Sequence, residues 1–107
     1  MEKSVNRIEL RGNAGQDARV TKVNESSVAK FNIATNETVK DRNGNIREET
    51  TWHSIVAWEG KNMPDFTKIK KGTTVSVVGR LRVNKYVDAA GEETQFYEVL
   101  AQSVSLE

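Results

Sequence analysis

The sequence has no cysteine, one proline and one histidine, and it has no long apolar run. Without cysteine, the 107-residue chain can form neither disulfides nor thiolate metal sites, so a reducing cytosol is the simplest compartment. No apolar run approaches the roughly 18 residues needed to cross a bilayer. The first residues, Met1 to Ser4, lead into a strand-like pattern without the apolar stretch of a signal peptide. We therefore expect a cytoplasmic protein with no membrane partner.

Charge of one sign is also missing, since 16 basic and 15 acidic residues leave a net charge of +1. Any affinity for nucleic acid must therefore come from local clusters of Lys and Arg together with aromatic stacking. The length suits a single domain over residues 1–107, with a modest core that association between subunits would help to stabilise.

The residues needed for catalysis or cofactor binding are scarce. His53 is the only histidine, and the acidic residues are scattered among Lys and Arg, so no pair stands out as a general acid and base. The stretch Gly12–Gly15 lacks the Lys-Ser/Thr of a P-loop and the spacing of a dinucleotide fingerprint. We expect no enzyme activity, no cofactor and no metal site.

Two-residue alternation broken by Gly and Asn predicts an antiparallel β protein. The first strand, around Ile8 and Leu10, is expected to break at Gly12–Gly15, and a short extended piece covers residues 18–23. Further strands are predicted around residues 29–35, 50–58, 75–83 and 93–104. Asn43-Gly44 predicts a hairpin with a type I′ turn, because that turn requires positive φ at both central residues.

Residues 61–71 interrupt the alternation. Met63, Phe66 and Ile69 recur every three residues, Pro64 suits a first helical turn and Gly72 can end the segment, so we predict one short helix. Five main strands with a short helix between the third and fourth is the element order of an all-β OB-fold, a five-stranded Greek-key barrel.

The third and fourth main strands carry the candidate site. Because side chains alternate between faces, Trp52 and Trp58 share one face of the third strand, whereas His53 lies on the other. On the fourth strand, one face is predicted to be core and the other to combine cations with an aromatic ring. The first set is Val75, Val77, Leu81 and Val83, and the second is Arg80, Arg82, Asn84 and Tyr86.

Exposed aromatic rings beside cations form a stacking platform for unpaired bases, and every base has a π-face, so such binding tolerates any sequence. The alternative is that Trp52 and Trp58 are core residues, as tryptophans usually are. We expect Tyr86 to be exposed, whereas Tyr97 can face either way. Phe31, Phe66 and Phe96 are predicted core residues.

Basic residues form three clusters, any of which can be an ordinary solvated surface. Those of the hairpin and the fourth strand are expected on the same side as the aromatic rings, while His53 is expected to be structural or at an interface. The clusters are Lys40, Arg42 and Arg47 in the hairpin, Lys61 with residues 68–71 around the predicted helix, and Arg80, Arg82 and Lys85 on the fourth strand.

Four stretches in this order resemble the bacterial single-stranded DNA-binding proteins, over about Val5 to Val104. They are Gly12-Asn13-Ala14-Gly15-Gln16-Asp17, Thr51-Trp52-His53-Ser54-Ile55-Val56-Ala57-Trp58, Lys71-Gly72, and Val77-Val78-Gly79-Arg80-Leu81-Arg82 with Lys85-Tyr86. The resemblance implies an OB-fold subunit of a homotetramer. Such a protein coats single-stranded DNA during replication, recombination and repair.

Carried over by position, the resemblance implies base stacking by Trp52, Trp58 and Tyr86, and an interface position for His53. It also makes a set of cations the candidates for phosphate contacts. They are Lys40, Arg42, Arg47, Lys61, Arg80, Arg82 and Lys85.

Three features depart from the family pattern. Val39 stands where the family often has a tryptophan, and Glu59 is an extra residue that brings a negative charge close to Trp58. The family also carries a long extension that ends in an acidic, phenylalanine-tipped peptide and recruits repair proteins, whereas this sequence stops at Ser105-Leu106-Glu107. Either the sequence is truncated or this member lacks that recruitment route.

Two alternatives stay open. The same fold serves primosomal accessory proteins and mobile-element paralogues, which bind DNA to support another protein. A protein-interaction module whose sheet packs against a partner would also fit the pattern.

Overall fold

The computed structural model describes residues 3–107, so Met1 and Glu2, the start of the predicted domain and of the N-terminal segment, lie outside it. Six strands and one short 3-10 turn make up the described part. They are β1 (Ile8–Ala14), β2 (Arg19–Val23), β3 (Ser26–Lys40), β4 (Ile46–Trp58), the 3-10 turn Phe66–Lys68, β5 (Thr74–Val87) and β6 (Glu93–Leu106). No helix within residues 3–107 is long and apolar enough to cross a membrane.

The strands pair in the order β1-β5-β6-β4-β3-β2, and a further pairing between β1 and β3 closes five of them into a barrel. β4 and β6 run parallel, while every other pair is antiparallel. β2 lies outside the closed ring as an added strand on β3. This is the predicted OB-fold topology, in which the first strand pairs with both the second and the fourth strand of the barrel.

The core fills the barrel with small and branched side chains from every strand of the ring. Ala29 and Ile33 of β3, Ala57 of β4 and Val75 of β5 have no exposed surface, as expected for the inward residues of alternating strands. Phe66 in the 3-10 turn and Ile69 directly after it also belong to this core.

The sequence pattern predicted that β1 breaks at Gly12, but the strand continues to Ala14. Gly12 pairs with Val75 of β5, and the next residue, Asn13, pairs with both Thr74 of β5 and Ala34 of β3. A Cβ atom at Gly12 would collide with the carbonyl oxygen of Ala34. Glycine therefore allows the strand to continue while it crosses from one neighbour to the other and closes the barrel.

The predicted helix over residues 61–71 was wrong, since only Phe66–Lys68 form a 3-10 turn. Two carbonyl groups of this segment accept from distant amides instead of from the next helical turn. The Asn62 carbonyl accepts from Val104 N–H (3.1 Å), and the Ile69 carbonyl accepts from Ala18 N–H (2.9 Å). These bonds hold the segment across the barrel end with Phe66 and Ile69 inward.

The turn at Asn43-Gly44, between β3 and β4, is not of the predicted type I′. Gly44 has positive φ but Asn43 does not, and the Asp41 side chain accepts from the amides of Asn43 and Asn45 (2.9 Å each). The Asp-x-x-Gly pattern recurs in the β5–β6 turn, where the Asp88 side chain accepts from Ala90 and Glu92. Positive φ at both central residues is found instead at Asn24 and Glu25, between β2 and β3.

The β3–β4 and β5–β6 hairpins extend beyond the barrel as two arms. The radius of gyration is 16.2 Å, compared with about 13 Å for a compact chain of this length. Leu81 (40% exposed), Val83 (39%) and Phe96 (43%) were predicted to be core but lie on the β5–β6 arm. Leu81 and Val83 keep the alternation of the core face, but no facing strand covers them there, whereas Phe96 lies opposite Asn84 on the other face of the arm.

Candidate functional site

A groove of about 560 Å³ lies across the outer side of the barrel. Its floor comes from β3, β4 and β6, and the β1–β2 connection forms one wall. The lining includes an exposed tryptophan, an exposed phenylalanine and several polar side chains. They are Gly15, Gln16, Asp17, Arg19, Lys30, Phe31, Asn32, Trp52, Ser54, Ile55, Val56, Phe96 and Glu98.

Strand register explains why these side chains share one side. Residues directly opposite each other in a sheet point to the same face. Trp52 lies opposite Ala34, Ser54 opposite Asn32, and Val56 opposite Lys30. Lys30 also lies opposite Arg19 of β2. The row therefore brings cations from β2 and β3 to the side on which β4 presents its tryptophans.

Four aromatic rings are exposed near this side. The exposed fractions are 59% for Trp52, 40% for Trp58, 50% for Tyr86 and 43% for Phe96. These values contradict the alternative in which the two tryptophans are core residues. Tyr86 and Phe96 contact each other edge to face, with ring centroids 6.0 Å apart and an interplanar angle of 63°. Tyr97, left open by the sequence, is 60% exposed on the other side of the β5–β6 arm.

Arg82 and Glu98 form the most protected ion pair on this side. Arg82 lies opposite Glu98, and its Nε donates to Glu98 Oε1 at 2.7 Å. Asn84 Nδ2 donates to the same oxygen. Glu98 is 6% exposed and is the one buried charged side chain among residues 3–107. Much of the Arg82 charge is thus already compensated by a carboxylate of the protein.

The other predicted cations are distributed over both sides. Arg80 shares the side of Arg82, and Lys40 shares the side of Trp52, because both follow the same alternation. Arg47 and Lys85 follow the opposite alternation of their arms, and Arg47 forms an ion pair with Glu49 at 3.0 Å.

Arg42 lies in the β3–β4 turn and Lys61 in the loop after β4, both exposed. Arg42 is therefore at the tip of the β3–β4 arm, and Lys61 is beside the end of β4. The groove itself is lined by neither residue.

His53, predicted to be structural or at an interface, is half-buried on the inward side of β4 opposite Ile33. Its Nε2 lies 2.9 Å from Thr35 Oγ1. Glu59 does bring a carboxylate next to Trp58, but Glu59 Oε1 accepts from the Ser27 amide at 2.7 Å, which holds it beside β3. Within residues 3–107, no group of three or more His, Asp or Glu side chains could hold a metal ion.

Sequence reasoning missed Gly15, Arg19, Lys30, Phe96 and Glu98 as residues of this groove. Lys30 alternates with the buried residues Ala29 and Phe31 of β3, so its exposed face could be read from the sequence pattern. Which other strands share that side depends on pairing across the barrel, for which the sequence offers no local signal.

A model of the Single-strand binding protein family matches residues 5–107 of this chain. A single-stranded DNA-binding protein from Rhizobium meliloti is 36% identical over 105 residues, covering 95% of this chain and 60% of the relative. Single-stranded DNA-binding protein 1 from Chlorobaculum tepidum is 34% identical over 110 residues, covering 99% of this chain and 67% of the relative. The chain thus spans about three-fifths of the length of relatives such as the Rhizobium protein.

Two solved structures share the fold. The Plasmodium falciparum SSB in complex with ssDNA superposes with a TM-score of 0.81 and 31% identity, covering 99% of this chain and 96% of that one. A deletion mutant of the single-stranded DNA binding protein from Thermus aquaticus superposes with a TM-score of 0.80 and 19% identity. It covers 96% of this chain and 50% of that one, and at this identity it bears on the fold alone.

Proposed function

The chain belongs to the single-strand binding protein family, and we propose that it binds and coats single-stranded DNA without reading base sequence. Residues 1–107 act as one binding domain in this proposal, and the protein catalyses no reaction. In this proposal the protein acts in the cytoplasmic nucleoid, where replication, recombination or repair leaves DNA unpaired.

The observation that carries the proposal is the set of exposed rings on one side of the barrel. Trp52 and Trp58 are six residues apart on β4, which corresponds to about 20 Å along an extended strand. The span between them accommodates several nucleotides of an extended strand. Tyr86 and Phe96 continue the aromatic surface along the β5–β6 arm. Bases stacked on such rings contribute about 1–3 kcal/mol each, whatever their identity.

Cations next to the rings supply the phosphate contacts. Arg80 and Lys40 share the side of the tryptophans, and Arg19 and Lys30 extend it across β2 and β3. Duplex DNA keeps its bases stacked inside the helix and cannot offer their faces to the rings. The arrangement therefore favours unpaired strands over duplexes.

A homo-oligomer, by family resemblance a tetramer, is the second part of the proposal. Leu81 and Val83 expose apolar surface on the side of the β5–β6 arm that faces away from Arg80. A second copy of the chain would cover it, and closed symmetric assemblies are the rule for such contacts. Light scattering at micromolar concentration should give a multiple of the 12.0 kDa chain mass, whereas a monomer mass would contradict this part.

The test of DNA binding is a tryptophan-fluorescence titration with oligo(dT) and, in parallel, with a duplex of matched length. We expect quenching by the single strand and far weaker binding of the duplex. Trp52→Ala and Trp58→Ala should each weaken binding by about 1–3 kcal/mol. Val20→Ala is the matched control, because Val20 is 41% exposed on β2 but lies outside the groove.

Three outcomes would contradict the proposal. Equal affinity for duplex and single strand would remove the strand preference. Folded tryptophan variants that bind like the parent protein would mean that the site lies elsewhere. No fluorescence change with any DNA would favour a protein-interaction module.

A further inference from the structure

Gly15 lies directly against the indole ring of Trp52. A Cβ atom at this position would be 2.6 Å from Cζ3 and 2.9 Å from Cη2 of the ring. Carbon atoms in normal contact are about 3.5–4.0 Å apart. No side chain larger than hydrogen therefore fits at residue 15 while the ring keeps its present position.

The backbone around Gly15 cannot retreat from the ring, because hydrogen bonds anchor it on both sides. Gly15 N–H donates to the Asn32 carbonyl at 3.1 Å. Ala14 donates to the Thr73 carbonyl (2.9 Å) and accepts from Gly72 N–H (2.8 Å). Two residues further on, the Asp17 carboxylate accepts from the Lys71 amide at 2.9 Å.

The ring, in contrast, can move. Trp52 is 59% exposed, and the two atoms that approach Gly15 are at the far end of the indole. Rotation about the side-chain torsions between staggered positions needs no repacking of the core. Gly15 also has no positive φ, so alanine is compatible with its backbone. Gly15→Ala should therefore displace the ring and leave the barrel intact.

We propose that Gly15 is a positioning residue that supports one edge of the Trp52 indole and thereby holds the ring in place to receive a base. This inference rests on the proposed DNA-binding function. The missing side chain lets the β1–β2 connection support the ring, so that less of its rotational freedom is lost when a base stacks on it.

The first experiment measures ring position without DNA. In a Trp58→Phe background, Trp52 is the sole tryptophan, and collisional quenching by acrylamide reports its exposure. We expect Gly15→Ala to change the quenching constant and the emission maximum, with an unchanged far-ultraviolet circular dichroism spectrum. Gly60→Ala is the matched control, because its Cβ would meet only the Trp58 carbonyl oxygen at 3.9 Å.

The second experiment measures affinity for dye-labelled oligo(dT) by anisotropy, which does not depend on tryptophan emission. Stacking of one base corresponds to roughly 5- to 140-fold in affinity. We expect Gly15→Ala to weaken binding by at least about 5-fold in the parent protein, and by less than about twofold when Trp52→Ala is already present. Gly60→Ala should bind like the parent.

Either experiment can contradict the proposed role of Gly15. An equal loss of affinity from Gly15→Ala in the parent protein and in Trp52→Ala would overturn it, because the glycine would then affect binding through the β1–β2 connection and not through the ring. Unchanged affinity or unchanged quenching in Gly15→Ala would overturn it as well, even if Trp52→Ala weakens binding and the proposed function holds. Failure of the proposed function is distinct, since the parent protein itself would then not bind oligo(dT).

Discussion

Arg80 and Arg82 lie two residues apart on the same side of β5, yet their replacement should have different effects. Arg80 is exposed and forms no ion pair with any residue from 3 to 107. Arg82 donates through Nε to the buried carboxylate of Glu98. We predict that Arg80 contributes to the salt dependence of DNA binding, whereas Arg82 contributes to the stability of the arm.

The magnitudes follow from these surroundings. Removing one partner of a buried ion pair costs about 3–5 kcal/mol. The Arg82 side chain is 32% exposed, and Asn84 still donates to Glu98 after the change, so we expect about 2–3 kcal/mol. Unfolding a chain of this length has an entropy of about 0.22 kcal/mol/K, so the melting temperature should fall by roughly 9–13 °C.

Arg80→Ala should leave the melting temperature within about 2 °C of the parent, since an exposed cation without a partner contributes little to stability. For single strands, log K falls by about 0.7 per unit of log salt concentration for each phosphate neutralised. Arg80→Ala should therefore flatten the salt slope by about 0.7, while Arg82→Ala should leave it nearly unchanged.

The assay is an oligo(dT) titration at several salt concentrations between about 50 and 200 mM, combined with thermal denaturation of the same samples. Titrations are made well below the melting temperature of Arg82→Ala, so that both variants are folded. Arg82→Ala would contradict this prediction if it flattened the salt slope as much as Arg80→Ala and melted like the parent. Arg82 would then contact phosphate, and its bond to Glu98 would be expendable.

Three further predictions concern single positions. Phe96→Ala should weaken binding of oligo(dT) by about 1–3 kcal/mol with little loss of stability, and unchanged affinity would restrict Phe96 to supporting Tyr86. Gly79→Ala should lower the free energy of unfolding in urea by at least about 2 kcal/mol, because its Cβ would collide with the Leu100 backbone; an unchanged urea midpoint would contradict this. The pKa of Asp65 should lie below its ordinary value of 3.8, because the Thr67 hydroxyl and amide donate to the carboxylate. The lowered pKa stabilises the folded protein above about pH 3.8, and this stabilisation is lost as the pH falls through the folded pKa. A side-chain NMR titration that gives a pKa of 3.8 or above would contradict the prediction.

Alternation along each strand predicted the strands, because the inward residues of β3 and β4 recur at every second position in the sequence, and the order of the elements together with the family resemblance predicted the barrel. The same rule could not decide the exposure of the tryptophans. Trp52, Val56 and Trp58 share one alternation, but Val56 is 4% exposed and the two tryptophans are 59% and 40% exposed. Val56 lies between Lys30 of β3 and Leu100 of β6, whereas both tryptophans pair only with β3. These pairings join residues far apart in the sequence.

The failed helix has a related cause. The three-residue spacing of Phe66 and Ile69 does mark two buried side chains, as a helix would have. A helix of this length is only marginally stable by itself, so tertiary bonds decide its conformation. The bonds from Ala18 and Val104 use carbonyl groups of this segment and favour an irregular chain.

The position of Glu98 shows how the core and the groove depend on one register. Along β6 the buried apolar residues are odd-numbered at Val99 and Ala101 but even-numbered at Val104. The change occurs at Gln102, since Gly79 of β5 pairs with Ala101 and the preceding residue pairs with Ser103. This β-bulge lets both halves of β6 direct apolar side chains into the barrel.

If Gln102 paired in a regular ladder instead of forming a bulge, the half of β6 that forms the arm would slip by one position while the other half stayed in place. A slip by one residue exchanges the two faces of a strand. Glu98 would then move to the face of Leu81 and Val83, away from its donors on Arg82 and Asn84, and Val99 would turn from the core toward the groove. Gln102 would face the core opposite Gly79, and burial of its amide without a hydrogen-bond partner is costly. The ion pair in the groove and the apolar core therefore favour the same register. The same register directs the aromatic ring of Phe96 to the binding side.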